Sequence, residues 1–388
     1  MASGGSPALA PLAALPAVEV AAVELLTVEL PLVVPFTTSF GRQTSREIPL
    51  LRVRTRDGDG WGELVTPPAP VYSEEFTAGA ALVLRDHLVP GLLAAGRSVT
   101  AEDVASRLWS VYGHRMARAA LETAILDAQL CAAGRSLADH LGAVRASVPA
   151  GVSVGIPDGG VPELVDQVEG YLGEGYLRIK AKIEPGFDAE PMRRLRDAVG
   201  DDVALQVDAN AAYDPDDPEH VSALDRLGEL DLTLIEQPFA PDRLRDHAHQ
   251  ATRWTTPVCL DESVHDAVRA RDAIACGATS VINIKLARVG GPLEAVAVRD
   301  ACLAVGVPVW CGGMLESGVG RAANVALAAL EGFDLPGDVS ASDRYWREDL
   351  TEPFVLDDGH VAVPTGPGLG RAPRPDALSE AAVLRLDR

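Results

Sequence analysis

The stretch from Lys180 to Glu316 contains short apolar runs that each end in a charged residue or a glycine. The ends of these runs are, in order, Lys182, Asp208, Glu236, Asp261, Lys285 and Gly312. Successive ends lie 26, 28, 25, 24 and 27 residues apart, which is about the length of one strand, one helix and two short loops. Helical patterns lie between the runs, and several close on a glycine suited to a helix C-terminus, at Gly200, Gly277 and Gly306. The sequence therefore predicts a repeated βα unit.

Repeated βα units with continuously apolar strands indicate a parallel sheet covered by helices. A long regular series favours closure into a (β/α) barrel over an open, doubly wound sheet. The GPGLG segment at 366–370 does not favour the open sheet, because its neighbouring prolines and its late position are typical of a turn. In a barrel the carboxyl ends of the strands carry the active site, so we expect the polar ends of the runs to meet at one mouth.

The remaining residues predict an α+β capping domain. Residues 1–17, rich in Ala, Pro, Gly and Ser, are interpreted as a disordered extension without the features of a signal peptide. Residues 18–142 begin with strand-like alternation and continue with helical patterns, so we expect them to form the cap, and we expect 143–345 to form the barrel. Residues 346–388 contain a last strand pair and a Pro/Gly-rich tail, and we expect them to return to the cap.

Residues 35–45, with the sequence PFTTSFGRQTS, separate two predicted cap strands. We expect a loop here, because the segment is polar and aromatic and too long for a tight hairpin. Such loops often cover a binding site, and an ordinary surface loop is the alternative.

The charge of the chain narrows its class of function. The formal net charge is −22, from 34 basic and 56 acidic residues, which opposes binding to nucleic acid or to an anionic membrane. No apolar run is long enough to span a membrane. The five cysteines lack metal-ligand spacing and are interpreted as buried, reduced residues of a cytoplasmic protein; they are Cys131, Cys259, Cys276, Cys302 and Cys311. A cytoplasmic enzyme of small molecules is favoured.

Three carboxylates end successive predicted strands, at Asp208, Glu236 and Asp261. The barrel would bring them together at one rim, where they would repel one another unless a cation lay between them. An all-oxygen set without His or Cys suits Mg²⁺ first and Mn²⁺ second. For any single member, a solvated loop carboxylate is the alternative.

Lys180 and Lys182 are two residues apart on one predicted strand, so both side chains should point to the same face, the barrel interior. Their mutual repulsion and partial desolvation would lower the pKa of one of them towards that of a useful base. Lys285 ends a strand roughly across the barrel, and a structural partner of a carboxylate is the alternative role for any one lysine. A metal between two lysines is typical of proton abstraction α to a carboxylate.

Seven segments carry a family resemblance: KAKIEPG (180–186), QVDANAAY (206–213), LIEQP (234–238), CLDES (259–263), NIKLARVGG (283–291), WCGGMLESGVGRAANVALAAL (310–330) and GDVSASD (337–343). With them, nearly the whole chain resembles the enolase superfamily, in its muconate-lactonising subgroup. It is most similar to the N-succinylamino acid racemase/o-succinylbenzoate synthase family. The resemblance implies an α+β cap on a modified (β/α)7β barrel. It also implies Asp208, Glu236 and Asp261 as Mg²⁺ ligands, with Lys182 and Lys285 as the acid/base pair.

The resemblance further implies residues that contact the substrate or support those that do. They are Phe36, Phe40, Ser153, Lys180, Asn210, Arg288, Gly312, Gly313, Met314 and Glu316. Segment 35–45 matches the family's mobile covering loop, and small residues at the last strand ends would admit the substrate's side chain or acyl tail. A lone serine such as Ser153 is otherwise more often a local backbone partner. The last strand ends carry no histidine, which disfavours the sugar-acid dehydratases and mandelate racemases of the superfamily.

Arg288 lies three residues after Lys285. A permanent cation at this distance would favour the neutral form of Lys285 by like-charge repulsion, and racemisation requires that form. An arginine at this position is a feature of the racemase-competent relatives. The alternative is that Arg288 pairs with a neighbouring acid on the loop.

The function expected from these features is that of an enzyme acting on a small anionic carboxylate through an enediolate. The reaction would be dehydration to o-succinylbenzoate in menaquinone synthesis, racemisation of an N-succinylamino or other N-acylamino acid, or both. A dipeptide epimerase and a muconate-type cycloisomerase are alternatives, because these relatives share the lysines and carboxylates. A catalytically silent barrel that only binds a ligand is the non-enzyme alternative. The resemblance also implies a homo-oligomer, with an octamer as one option.

Overall fold

An antiparallel sheet and a layer of helices form the N-terminal part of the protein, in a computed structural model that describes residues 12–387. The strands are β1 Val18–Thr38, β2 Gly41–Thr55, β3 Asp59–Glu63 and β4 Ser98–Val99. The helices are α1 Thr77–Val83, α2 Val89–Leu93, α3 Glu102–Arg107, α4 Arg115–Ala133 and α5 Leu137–Leu141, with a π-helical turn at Leu84–Leu88 between α1 and α2. This α+β unit is the cap that the sequence predicts.

Helix α4 packs unusually close to strand β3 because that strand has glycines on the facing side. A Cβ atom at Gly60 would lie 2.0 Å from the carbonyl oxygen of Ala124, and one at Gly62 would lie 2.1 Å from that of Ala120. The alanine-rich face of α4 therefore rests directly on the strand backbone. The helix ends at Gly134, whose φ of 63° is the left-handed conformation that glycine adopts without strain.

The predicted loop at 35–45 is wrong, since β1 and β2 continue through it as a hairpin. Phe36 pairs with Gln43 and Thr38 pairs with Gly41, so the connection has two residues. A register shift between Pro31 and Phe36 marks an irregularity at which β1 departs from regular pairing. The Thr and Phe residues of the segment favour a β-strand, whereas its polar residues led to the prediction of a loop.

The predicted disordered extension at 1–17 lies partly outside the described residues, which begin at Leu12. Residues 12–17 have no regular secondary structure but lie along the cap. Gln129 Nε2 donates a hydrogen bond of 2.8 Å to the carbonyl oxygen of Pro16, and Leu15 packs against the core.

Seven parallel strands form the central sheet, preceded by the short strand β5 Ser147–Pro149. They are β6 Gly151–Val154, β7 Arg178–Lys182, β8 Leu205–Asp208, β9 Ile235–Glu236, β10 Val258–Leu260, β11 Val281–Ile284 and β12 Val309–Cys311. The helices around them are α6 Gly160–Glu174, α7 Ala189–Val199, α8 Pro218–Leu227, α9 Leu244–Ala251, α10 Ala267–Ala275, α11 Leu286–Val289, α12 Pro292–Leu303 and α13 Gly318–Ala328.

The segment 333–338 closes this sheet into a barrel. The amide of Gly151 at the β6 edge donates to Gly337 O at 2.7 Å, and the amide of Asp338 donates to Cys311 O in β12 at 2.8 Å. An eighth strand-like segment thus bridges the two edges of the sheet. The predicted modified (β/α)7β barrel with a cap is confirmed.

The C-terminal residues return to the cap, as predicted, at two places: Leu369 N donates to Asp127 Oδ1 in α4 at 2.6 Å, and the last strand joins the cap sheet. Strands β13 Leu356–Asp357 and β14 His360–Ala362 form the predicted strand pair, but β14 pairs with β5 beside the barrel entry. Strand β15 Ala382–Arg385 then pairs with β1 at the edge of the cap sheet.

Buried carboxylates of the cap hold the N-termini of barrel helices. Glu63 accepts hydrogen bonds from the amide and hydroxyl of Ser317 and from the amide of Gly320, at the start of α13. Glu122 accepts one from the amide of Leu293 at the start of α12. Burial raises the pKa of Glu63 to about 7 and that of Glu122 to about 8. These contacts fix the cap above the carboxyl ends of the barrel strands.

The cysteines are free thiols. Cys259, Cys302 and Cys311 are buried as predicted, whereas Cys131 is half-buried and Cys276 is exposed. Cys276 follows the last turn of α10, where the helix leaves the core. Within residues 12–387, none of the helices combines the length and the apolar character needed to cross a membrane.

Candidate active site

A cavity of about 640 Å³, counted with its opening to solvent, lies between the cap and the carboxyl ends of the barrel strands. The barrel side is formed by residues that include Ser153, Lys180, Lys182, Asn210, Lys285, Gly313 and Met314. The cap side includes Phe36, Thr38, Phe40, Gln43, Arg46 and Tyr72. The β1–β2 hairpin therefore covers the mouth, in the position implied for a covering loop.

The cavity gathers every lysine of the chain. Only three of the 34 basic residues in the sequence are lysines, and all three line this cavity. Lys180 and Lys182 lie on β7, Lys285 follows β11, and three strands separate β7 from β11. Since eight segments close the barrel, this spacing puts Lys182 and Lys285 on opposite sides of the mouth.

Lys180 is a buried cation held by carboxylates. Its Nζ lies 2.6 Å from Asp338 Oδ2 and 3.3 Å from an oxygen of each of Asp208 and Glu236. It also lies 4.8 Å from the centre of the Trp310 ring. Burial alone would lower its pKa, but these carboxylates outweigh burial and raise it. Lys180 therefore remains charged.

In Lys182, the effects that lower the pKa outweigh those that raise it. Its Nζ donates to Asp208 Oδ2 at 2.6 Å and to Asn210 Oδ1 at 2.7 Å. Burial lowers its pKa and the charge of Lys180 lowers it further, against the attraction of Asp208. The pKa of one lysine of the pair is lowered, as the sequence led us to expect, and that lysine is Lys182.

Lys285 lies on the other side of the cavity, against a tyrosine. Its Nζ is 2.8 Å from Asp261 Oδ2 and donates to the Tyr72 hydroxyl at 3.3 Å. The same atom lies 4.5 Å from the centre of the Tyr72 ring. Burial opposes its charge, but Tyr72 and the carboxylates of Glu262, Glu236 and Asp208 outweigh burial and raise its pKa.

The pKa of Lys285 is raised although Arg288 lies nearby, which corrects the expectation that Arg288 keeps Lys285 neutral. The Arg288 guanidinium contacts the carboxylate of Asp261, and two further nitrogens donate to the carbonyl oxygens of Val264 and Asn283. The positive charge of Arg288 is thus directed at an acid, which was the alternative role. Both Arg288 and Lys285 share the carboxylate of Asp261.

The three strand-end carboxylates are buried and lie on adjacent strands. Asp208 and Glu236 are register partners, and burial together with the charge of Asp208 raises the pKa of Glu236. Among residues 12–387, no three His, Cys, Asp or Glu side chains are grouped as a ready-formed metal site, because neighbouring cations engage these acids. In the described residues, Glu236 Oε2 and Asp261 Oδ2 accept no hydrogen bond, but each faces a lysine ammonium, at 3.3 Å from Lys180 Nζ and 2.8 Å from Lys285 Nζ. An anionic, all-oxygen set of this kind fits a hard divalent cation.

Amide side chains next to the strand ends orient these acids. Asn283 Nδ2 donates to Glu236 Oε1 at 2.6 Å. Gln237 Oε1 accepts the amides of Asp261 and Ser263, and its own φ is 38°. A left-handed residue directly after a strand costs conformational energy, which is commonly tolerated at functional sites.

The residues of this site that the sequence analysis missed include Tyr72, Gln237, Asn283 and Asp338, together with the cavity-lining Arg46 and Arg321. Tyr72 lies in an irregular cap segment, far in sequence from the barrel strands, and donates to Asp261 Oδ1 at 2.9 Å. Asp338 lies in the quoted GDVSASD segment, but no strand pattern marked it as a strand end. The sequence has only three lysines in 388 residues, and this rarity could have indicated that all three belong to the site.

The implied substrate contacts divide into two groups. Ser153, Gly313 and Met314 line the cavity, and Ser153 Oγ has no hydrogen-bond partner among the described residues, so it is not the local backbone partner considered above. Gly312 does not line it, because a Cβ there would lie 2.2 Å from Asn283 Oδ1. Glu316 is also turned away, accepting hydrogen bonds from Met314 N and Asn324 Nδ2. Gly312 and Glu316 therefore fit the supporting role rather than direct contact with the substrate, since Gly312 makes room for Asn283 and Glu316 holds the backbone of Met314.

A capped barrel with lysines and carboxylates at its strand ends is the arrangement that the sequence resemblance implied. Comparison with known families supports the same assignment. Residues 163–377 match the family described as enolase C-terminal domain-like. Residues 20–142 match the family described as mandelate racemase/muconate lactonizing enzyme, N-terminal domain. The protein is an enzyme of the enolase superfamily.

Comparison with individual proteins shows which family of the superfamily the chain belongs to. The chain is 57% identical to an N-succinylamino acid racemase of Amycolatopsis sp., over 94% of this chain and 98% of the relative. It is 43% identical to an o-succinylbenzoate synthase of Geobacillus stearothermophilus, over 91% and 93%. A crystal structure of an enolase-superfamily member from Listeria innocua superposes with a TM-score of 0.89 at 36% identity, covering 95% of this chain and 99% of that one. The chain belongs to the N-succinylamino acid racemase/o-succinylbenzoate synthase family.

Proposed function

We propose that this enzyme removes and returns the proton α to a carboxylate, as an N-succinylamino acid racemase, an o-succinylbenzoate synthase or both. The observation that carries the proposal is the pair of buried lysines, Lys182 and Lys285, on opposite sides of one cavity. The names of the relatives support the same two reactions. The substrate is a small anionic carboxylate, which the three lysines of the cavity attract.

Asp208, Glu236 and Asp261 are proposed to hold a divalent cation, Mg²⁺ first and Mn²⁺ second. When bound, the ion supplies positive charge beside the substrate carboxylate and makes the α-proton more acidic. Asn283 orients Glu236, and Gln237 and Tyr72 orient Asp261, through the hydrogen bonds described above. Lys180 stays charged beside Asp208 and Glu236, and Asp338 compensates that charge.

The two remaining lysines move the protons. In racemisation, a neutral lysine accepts the α-proton from one face while the ammonium of the other donates a proton to the opposite face. In dehydration, Lys182 accepts the α-proton and returns it to the departing hydroxyl on the same face. Lys285 then serves as a cation beside the reacting carboxylate. A dipeptide epimerase or a muconate-type cycloisomerase would use the same residues, and these two activities are the alternatives.

The cellular setting is a further part of the proposal. The free thiols support a cytoplasmic enzyme, and the family resemblance supports a homo-oligomer, with an octamer as one option. Dehydration would supply o-succinylbenzoate to menaquinone synthesis.

The proposed function is tested by supplying purified enzyme and Mg²⁺ with N-succinyl-L-phenylalanine and, separately, with the cyclohexadiene precursor of o-succinylbenzoate. We expect loss of optical rotation in the first assay or formation of o-succinylbenzoate in the second. Turnover of L-Ala-L-Glu at a higher kcat/KM than either substrate would favour the dipeptide epimerase.

Replacing Arg288 by Gln is expected to reduce racemisation more than dehydration. Without Arg288, Lys285 becomes the only cation paired with Asp261, which holds Lys285 in its charged form. Racemisation needs the neutral form of Lys285, whereas dehydration needs only its charge. The ratio of racemisation to dehydration should fall about tenfold, the effect of one pKa unit. Equal losses in both reactions would mean that Arg288 is only structural.

A further inference from the structure

We infer that Arg46 is a specificity-determining residue that binds a second anionic group of the substrate, the terminal carboxylate of its acyl tail. This inference rests on the proposed function for the identity of the substrate, and it goes beyond it by assigning the part of the cavity that recognises the tail. Arg46 lies on β2, so it reaches the cavity from the cap side, whereas the lysines come from the barrel.

Arg46 is buried, with 3% of its surface exposed, yet it has no ion-pair partner among residues 12–387. One nitrogen, Nη2, donates to the carbonyl oxygen of Val65 at 3.1 Å. In the same residues, Nε has no hydrogen-bond partner. Within the described part of the chain, no carboxylate oxygen comes within the 4.0 Å of an ion pair with this guanidinium. A buried guanidinium of this kind is costly unless an anion completes its surroundings.

The two acids whose charge acts on Arg46 do not pair with it. They are Glu63 and Glu316. Glu63 accepts three hydrogen bonds at the start of α13. Glu316 Oε1 accepts two, from Met314 and Asn324, and its Oε2 lies 3.8 Å from Arg321. In the described residues neither carboxylate comes within ion-pair distance of Arg46, whose guanidinium borders the cavity.

The surrounding cavity wall suits a carboxylate. Arg321 also lines it, donates from Nη1 to the carbonyl oxygen of Asp338 at 2.8 Å, and lies 3.8 Å from Glu316. Its Nε has no hydrogen-bond partner in the part of the chain that the structure describes. The lysines and carboxylates on the barrel side are assigned to the α-carboxylate and its proton. A second carboxylate on a short chain would reach the cap side, and the succinyl group in the names of both kinds of relative carries one.

The test compares two achiral ligands that cannot be racemised, N-succinylglycine and N-acetylglycine, by calorimetric titration in buffer with Mg²⁺. Arg46→Met should weaken binding of N-succinylglycine about tenfold or more, as expected for loss of charge-assisted hydrogen bonds. Binding of N-acetylglycine should change less than about twofold. Arg54→Met, on the same strand but half-exposed, is the matched control and should alter neither ligand selectively.

Equal weakening of both ligands, or no change in either, would overturn the inference. If Arg46→Met does not fold, Arg46→Lys serves in its place, because it keeps the charge but loses the forked geometry. It should still weaken N-succinylglycine selectively, by about threefold. These outcomes do not depend on turnover, so a failure of the proposed function would show separately, as the absence of α-proton exchange.

Discussion

Replacing Lys285 by Ala is expected to abolish racemisation while preserving exchange of the α-proton on one enantiomer. Lys182 and Lys285 lie on opposite sides of the cavity, so each reaches only one face of the α-carbon. Racemisation needs both lysines, and losing one acid/base group typically costs about a hundredfold to ten-thousandfold. Incubation of each N-succinylamino acid enantiomer in deuterated water, followed by mass spectrometry, measures the exchange.

Lys182→Ala is the matched variant and should show the reverse preference between the enantiomers. Because the chain contains only three lysines, labelling lysine Nζ with ¹⁵N adds a second readout with three side-chain signals. Lys182 is expected to lose its proton at a lower pH than Lys180, since burial and Lys180 lower its pKa whereas carboxylates raise that of Lys180. Equal exchange of both enantiomers in either alanine variant would contradict the two-base mechanism.

Replacing Glu236 by Ala is expected to reduce activity by more than about a hundredfold with little loss of folding. Glu236 is fully buried, and in the described residues its Oε2 accepts no hydrogen bond and contacts only the ammonium of Lys180, at 3.3 Å, so we assign that oxygen to the metal rather than to the core. Asp208→Ala and Asp261→Ala should behave alike. Mg²⁺ affinity, measured by calorimetry, should fall in all three variants.

Glu229→Ala serves as the control, because Glu229 is an exposed acid outside the cavity that pairs with Arg193. It should retain activity and Mg²⁺ affinity. A Glu236→Ala enzyme that turned over at a near-native rate in the presence of a chelator would contradict the metal assignment.

The sequence predicted those site residues that carry a functional group and also stand at the end of an apolar run. Asp208, Glu236, Asp261 and the lysines each end an apolar run, so the regular spacing of βα units was enough to bring them to one mouth. Burial and ion pairing could only be read from the structure. The pattern could not predict that Asp338 compensates Lys180, because Asp338 lies in the irregular segment that closes the barrel.

The site residues of the cap were less predictable, because they reach the site through the packing of the cap on the barrel and not through a repeating sequence pattern. Tyr72 comes from a segment without regular structure and reaches the site only because the cap lies over the barrel. The hairpin through Phe36 and Phe40 was mistaken for a loop, since its polar residues obscured the strand pairing. Gly312 was named as a residue that contacts the substrate or supports those that do, and only the structure shows that its missing side chain makes room for Asn283.

The central claim is that buried lysines of this enzyme remove a proton α to a carboxylate with the help of a divalent cation. The most direct test is incubation of the unmodified enzyme with an N-succinylamino acid in deuterated water, once with Mg²⁺ and once with a chelator. We predict incorporation of one deuterium at the α-carbon with Mg²⁺ and none with the chelator. Absence of α-deuterium in the presence of Mg²⁺, or equal incorporation in both conditions, would contradict the account.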